Sequence, residues 1–105
     1  MSWSLVFRPE FSDDAAEAVD WYETRSPGLG ASFVEELIGV LEQIEANPLH
    51  RSRRHPSKNI RWRFTDRFPY KVIYEILEED RTIVIAAVLH AARHDRQWIG
   101  RIDEA

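Results

Sequence analysis

The sequence predicts an α+β domain with the order β-α-α-β-β-β-α, a helical hairpin packed on a mainly antiparallel sheet. Three observations predict it. Two stretches with apolar residues three and four apart fill the first half of the chain. They are joined through Ser26-Pro27-Gly28, so they fold back on each other with one shared apolar face. Runs of alternating apolar and polar residues, the period of strands, fill the second half. Finally, 105 residues with 44% hydrophobic content supply one core, hence one domain over 1–105, and a hairpin of helices must bury its shared face against another layer.

Ser2 to Phe7 alternates Trp3, Leu5 and Phe7 with Ser2, Ser4 and Val6 and reads as a first strand, which Pro9 ends because it has no backbone donor. Ser12 followed by Asp13 and Asp14 signals a helix start, since a hydroxyl accepts an orphan N–H and acids favour the positive end of the helix dipole. Ala15, Ala16, Val19, Trp21 and Tyr22 form its apolar face up to Arg25. From Gly30 a second helix is marked by Phe33, Val34, Leu37, Ile38, Leu41 and Ile44, with Glu35, Glu36, Glu42 and Glu45 outside, and Asn47-Pro48 stops it. Residues 49–59 read as irregular and basic.

Ile60, Trp62 and Phe64 then alternate with Arg61, Arg63 and Thr65, giving a strand with one apolar face and two guanidinium groups on the other. Tyr70 to Leu77 follows the Phe68-Pro69 turn, and Glu78-Glu79-Asp80-Arg81 turns into Thr82 to His90. That last run is almost wholly apolar, the pattern of a strand buried on both faces inside a sheet. His94 to Ile102 reads as a short C-terminal helix packing Trp98 and Ile102.

The 14 basic and 18 acidic residues give a net charge of −4, but the charge is segregated. Residues 1–48 carry two basic residues against ten acids, whereas residues 49–74 carry eight basic residues against Asp66 alone. A net +7 in that segment can attract phosphate or an acidic partner even on an acidic protein, or be a solvated face balanced by the helices. The absence of cysteine excludes disulfides, thiol catalysis and cysteine-bound zinc, and a reducing, cytoplasmic setting is expected. The longest apolar run, Ile83 to Leu89, is far short of the roughly 20 residues of a membrane helix, and no basic segment followed by an apolar stretch opens the chain, so no membrane partner is expected.

No cofactor and no metal are expected. His90 and His94, four apart, would have to share a helix to hold one ion, and His90 ends a strand. Gly28 and Gly30 lie between helices without the strand and Lys-Ser/Thr of a phosphate loop, and Ser26, Ser52 and Ser57 lack a nucleophile elbow. What remains is a set of cations with a histidine. Arg61 and Arg63 share a face, Lys71 on the next strand is placed to join them, and His90 and Arg93 end the neighbouring strand. Such a group can hold a phosphodiester, with the cations stabilising the growing charge and His90 moving a proton. The plainer reading makes the arginines guards against edge aggregation and His90 a cap at the strand end.

The run Arg67-Phe68-Pro69-Tyr70-Lys71-Val72-Ile73-Tyr74, then Ile83 to Val88, then His90-Ala91-Ala92-Arg93 with Trp98, resembles the C-terminal signature of the ParE/RelE toxin superfamily of plasmid-stabilisation modules. Asp20-Trp21-Tyr22, Leu29-Gly30 before Phe33, and Asn47-Pro48 match upstream, so the resemblance covers roughly residues 4 to 98. It implies a β-α-α-β-β-β fold with a variable C-terminal helix, in agreement with the residue-level reading. It also implies one of two activities. RelE-like members cleave mRNA in the ribosomal A site with basic residues on the sheet, an arginine after the last strand and a C-terminal tyrosine. Lys71 and Arg93 fall at two of those positions, with Arg61 and Arg63 nearby. Trp98 stands about where the tyrosine would be, and an indole can stack on a base but offers no phenolic oxygen. ParE-like members bind and poison DNA gyrase, and the His-x-x-Arg ending with a following Trp and the Phe-Pro-Tyr strand start look closer to that branch.

The expectation is therefore a ParE-like toxin that acts by binding DNA gyrase rather than by catalysis. A cognate antitoxin with an acidic, amphipathic tail would neutralise it by meeting Arg61, Arg63, Lys71 and Arg93 and an apolar groove beside the helices. A homodimer or an antitoxin complex would cover the exposed apolar surface. Two alternatives stay open: a RelE-like mRNA endonuclease acting at the ribosome through His90, Arg93 and Lys71, and a non-toxic relative that serves as an antitoxin-binding module.

Overall fold

A computed structural model describes residues 3–56 and 58–92. The proposed C-terminal helix, with Arg93, His94, Trp98 and Ile102, lies outside them. The described elements run β1 (Ser4–Phe7), α1 (Pro9–Arg25), α2 (Leu29–Ala46), β2 (Arg53–Arg54), β3 (Ile60–Phe64), β4 (Tyr70–Leu77) and β5 (Thr82–His90). Both helices lie in one layer on a five-stranded sheet of order β1-β5-β4-β3-β2. β1 runs parallel to β5 and the other pairs are antiparallel. β5 lies inside the sheet between β1 and β4, as its apolar run predicts.

α1 begins at Pro9, ahead of the Ser12 start read from the sequence. Proline fits the first helical position because its missing N–H would be an orphan there anyway, so the extended Arg8 serves as N-cap and Ser12 lies within the helix. The hairpin turns at Gly28, whose φ of 90° is the left-handed conformation that glycine adopts without steric cost. The Glu23 carboxylate of α1 accepts hydrogen bonds from the Gly28 and Gly30 N–H groups, tying the end of α1 to the start of α2. Residues 53–54, read as irregular, form β2, a two-residue edge strand on β3.

The buried positions of α1 are Phe11, Ala18 and Tyr22, and those of α2 are Gly30, Phe33, Leu37, Val40 and Ile44. The apolar face is thus narrower than the sequence pattern: Trp21, Val34 and Ile38 lie outside it and are exposed. The main core joins these helix residues to Val72, Tyr74 and Ile76 of β4 and Ile83, Ile85 and Val88 of β5. A second apolar cluster of Ile60, Ile73, Ala86, Ala87 and Leu89, with Trp62 against it, lies on the opposite face of the sheet.

One irregularity controls the end of β5. The β4–β5 register shifts between Ile73 and Tyr74, so that Ile73 pairs with Ala87 while Tyr74 pairs with Ile85, leaving Ala86 as a bulge. The bulge inverts the alternation beyond it, so Val88 joins the helix-side core and His90, paired with Tyr70, shares that face. The Asp14 carboxylate on α1 accepts a hydrogen bond from the Val88 N–H at 3.2 Å, fastening the strand to the helix just past the bulge.

Candidate functional site

The cations predicted to converge are divided between the two faces of the sheet. Arg61 pairs with Tyr74 and Arg63 with Val72, so both arginines point to the helix side, whereas Lys71 pairs with Phe64 and points away. The expectation that Lys71 joins Arg61 and Arg63 is therefore corrected: directly opposed residues share a face, and this register opposes Lys71 to Phe64. Arg93 and Trp98 lie outside the described residues.

Both arginines are hydrogen-bonded within the fold. Arg63 is only 8% exposed, and its guanidinium donates to the Gln43 side-chain oxygen on α2 and to the His50 carbonyl. Arg61 donates to the Ser52 hydroxyl at 3.0 Å. Between them the Tyr74 hydroxyl donates to the Pro48 carbonyl, so this corner joins β3 and β4 to the segment after α2. His90 lies on the same face as Arg63 but two strands away, about 10 Å at sheet spacing. Its Nδ1 accepts the Ala92 N–H at 3.2 Å, the capping role that the plainer sequence reading gave it.

Burial raises the Tyr74 pKa above its ordinary value, against the lowering effects of the Ser52 hydrogen bond and of Arg61 and Arg63. The folded state thus holds the Tyr74 proton more tightly than the unfolded chain does. Its contribution to stability is whole below the unfolded value near pH ~10 and is lost as pH rises through the folded value. Urea unfolding at about pH 8 and pH 10.5 should show an alkaline loss that is smaller in Tyr74→Phe; an equal loss in both chains would refute the assignment.

A second region lies beside α1, where the sequence analysis expects an apolar groove. Trp21, Tyr22, Pro69, Tyr70, His90 and Ala92, with Glu17, line an open groove of about 480 Å³ between α1 and the end of β5. Two of its lining residues, Tyr22 and Tyr70, pack on the fully buried Phe33, at ring separations of 5.6 and 5.1 Å. The Arg25 guanidinium stacks 3.2 Å over the Trp21 ring and covers one side of it. The sequence placed Trp21 in the core, and only its departure from the 11, 18, 22 series of buried positions could have indicated otherwise.

Other residues the sequence reading passed over set the frame. Glu36 of α2 accepts hydrogen bonds from the Arg67 and Phe68 N–H groups, and Thr65 bonds the Phe68 carbonyl and the Tyr70 N–H across the same turn. Together they hold Phe68 and Tyr70 where the aromatic walls need them. No group of three or more His, Asp or Glu residues able to hold a metal ion occurs among the described residues. Among the same residues no helix is long and apolar enough to cross a membrane.

Comparison with known proteins supplies the family. The family described as "ParE toxin of type II toxin-antitoxin system, parDE" matches residues 5–95. No curated protein sequence matches the chain. Among solved structures, the chromosomal ParDE system of P. aeruginosa is similar with a TM-score of 0.73 at 14% identity, covering 84% of this chain and 95% of that one. The intact E. coli RelBE toxin-antitoxin complex follows with a TM-score of 0.66 at 15% identity, over 87% of this chain and 99% of that one. The RelBE2 complex of Mycobacterium tuberculosis has a TM-score of 0.57 at 22% identity, over 86% and 99%. At these identities the likeness is one of fold.

Proposed function

Because the chain belongs to the ParE toxin family of type II toxin-antitoxin systems, we propose that it is a toxin that acts by binding a target protein, DNA gyrase, and is neutralised by a cognate antitoxin. The observation that carries this reading is the placement of the cations. A nuclease needs positive groups and a proton-transfer group gathered around one phosphate. Among the described residues, Arg61 and Arg63 are held by internal hydrogen bonds, Lys71 faces the other way, and His90 caps its own strand. The groove lined by Trp21, Tyr22, Tyr70 and His90 is suited to the apolar anchors of a partner helix.

Induction of the chain in growing cells tests this. Filamentation with an SOS response is the expected result, with loss of supercoiling activity when purified gyrase is mixed with the chain. Rapid arrest of translation with cut transcripts would overturn it in favour of an mRNA endonuclease, and normal growth would overturn it in favour of a non-toxic antitoxin-binding module.

A further inference from the structure

The sheet edge formed by β2 is built entirely of charge. β2 consists of Arg53 and Arg54 alone, both exposed, and it forms a hairpin with β3 in which the His55 N–H donates to the Ile60 carbonyl at 2.9 Å. An edge two residues long is already too short to template a further strand, so guarding it against aggregation does not call for two arginines. The register adds a cost: Arg54 lies directly opposite Arg61, and like charges facing each other across a ladder destabilise it. Residues 46–65 hold six Lys or Arg residues and no acid, so the hairpin itself supplies no counter-charge.

Successive residues of a strand point to opposite faces. Arg54 shares the helix side with Arg61, whereas Arg53, opposite Trp62, lies on the other face with its guanidinium 5.7 Å from the centre of the exposed Phe64 ring. The two exposed cations thus flank the edge, one on each side, and among the described residues no carboxylate pairs with either. The acids nearest in the fold, Glu36 and Asp66, share a hollow with Arg51 and Arg63 but not with Arg53 or Arg54. An anionic partner that meets both β2 arginines has to straddle the edge of the sheet.

We propose that the β2–β3 hairpin enters a groove of duplex DNA edge-on, with Arg53 meeting the phosphates of one rim and Arg54 those of the other, as a contact that reads no sequence. The major groove of B-form DNA is about 12 Å wide and admits a two-stranded ribbon between two rows of phosphates, whereas that of A-form RNA is too deep and narrow. An acidic peptide strand added to β2 would find only two residues to pair with. A single strand of nucleic acid needs aromatic rings for its bases, and Arg53 already lies over Phe64. The DNA contact is additional to the toxin reading above and independent of which protein the toxin binds.

The test is titration of the purified, nitrogen-15-labelled chain with a random-sequence DNA duplex of about 20 base pairs, followed by the shifts of its amide signals in NMR at about 50 to 200 mM salt. Saturable shifts centred on residues 53–54 and 60–62 are expected, with an affinity that falls against salt at a logarithmic slope of about −2 for two neutralised phosphates. Arg53→Gln and Arg54→Gln should each weaken binding about tenfold at the lowest salt and bring the slope to about −1. Arg81→Gln, the same charge change at the turn between β4 and β5, should leave both unchanged. Arg54→Gln should also melt no lower than the natural chain, because it relieves the opposition to Arg61. Absence of binding, shifts centred away from the hairpin, or equal losses in Arg81→Gln and Arg54→Gln would overturn the assignment. So would equal or tighter binding of single-stranded DNA, duplex RNA or polyglutamate at the same residues, and a lowered melting temperature for Arg54→Gln would show that the fold itself needs this arginine and overturn it as well.

Discussion

Phe33→Ala should destabilise the fold by about 3 to 5 kcal/mol, roughly a fifth or more of the stability of a domain this size. Phe33 is fully buried and is surrounded by Tyr22 at 5.6 Å, Phe68 at 5.4 Å and Tyr70 at 5.1 Å, so its ring joins both helices to the start of β4. Removing it discards the transfer free energy of the ring and leaves a cavity whose stiff aromatic neighbours relax only partly. Two of those neighbours, Tyr22 and Tyr70, are walls of the groove. Partner binding there should therefore fall together with stability. Urea unfolding followed by tryptophan fluorescence measures the first effect; a loss below about 1 kcal/mol would mean that the aromatic box is not the mechanical centre assigned to it.

Arg63 should behave differently from an ordinary structural clamp. Arg63→Ala is expected to cost about 2 kcal/mol, through lost stem packing and an emptied site between β3 and α2. Arg63→Met, which refills the space without charge, should stay within about 1 kcal/mol of the natural chain, because a buried charge without a counter-charge contributes little to folding. A large loss for Arg63→Met in denaturant melts would instead show that the hydrogen bonds to Gln43 and His50 are what the residue is there for.

The contrast between Arg63 and Lys71 shows where sequence reasoning reached its limit. Within β3 the alternation correctly separated Arg61 and Arg63 from Ile60, Trp62 and Phe64. It could not say which face of β4 they would meet, because that depends on register, and a slip of one residue exchanges the faces. The turn that sets the register is held by Glu36, thirty-one residues from Arg67 in the chain, a contact with no local signature. His90 is a second case. Uninterrupted alternation from Ile83 would put it opposite the helices, and the Ala86 bulge, fastened by Asp14 seventy-four residues from Val88, turns it toward them.

The helices show the same division of information. The three-and-four spacing located α1 and α2, and Gly28 was legible because a turn after Ser26-Pro27 calls for a residue that tolerates positive φ. That spacing described an apolar face wider than one sheet can cover, so Trp21, Val34 and Ile38 were assigned to the core and lie outside it.

From its residues alone, then, this chain determined the order of its two helices and its four longer strands, its family resemblance and the segregation of its charge, since propensity, periodicity and composition are properties of neighbours in sequence. The tertiary structure decided which cations share a face, which way His90 points, and that Arg63 lies buried. Those depend on register, on one bulge and on contacts between distant carboxylates and backbone N–H groups, interactions that come into being only when the chain has closed on itself.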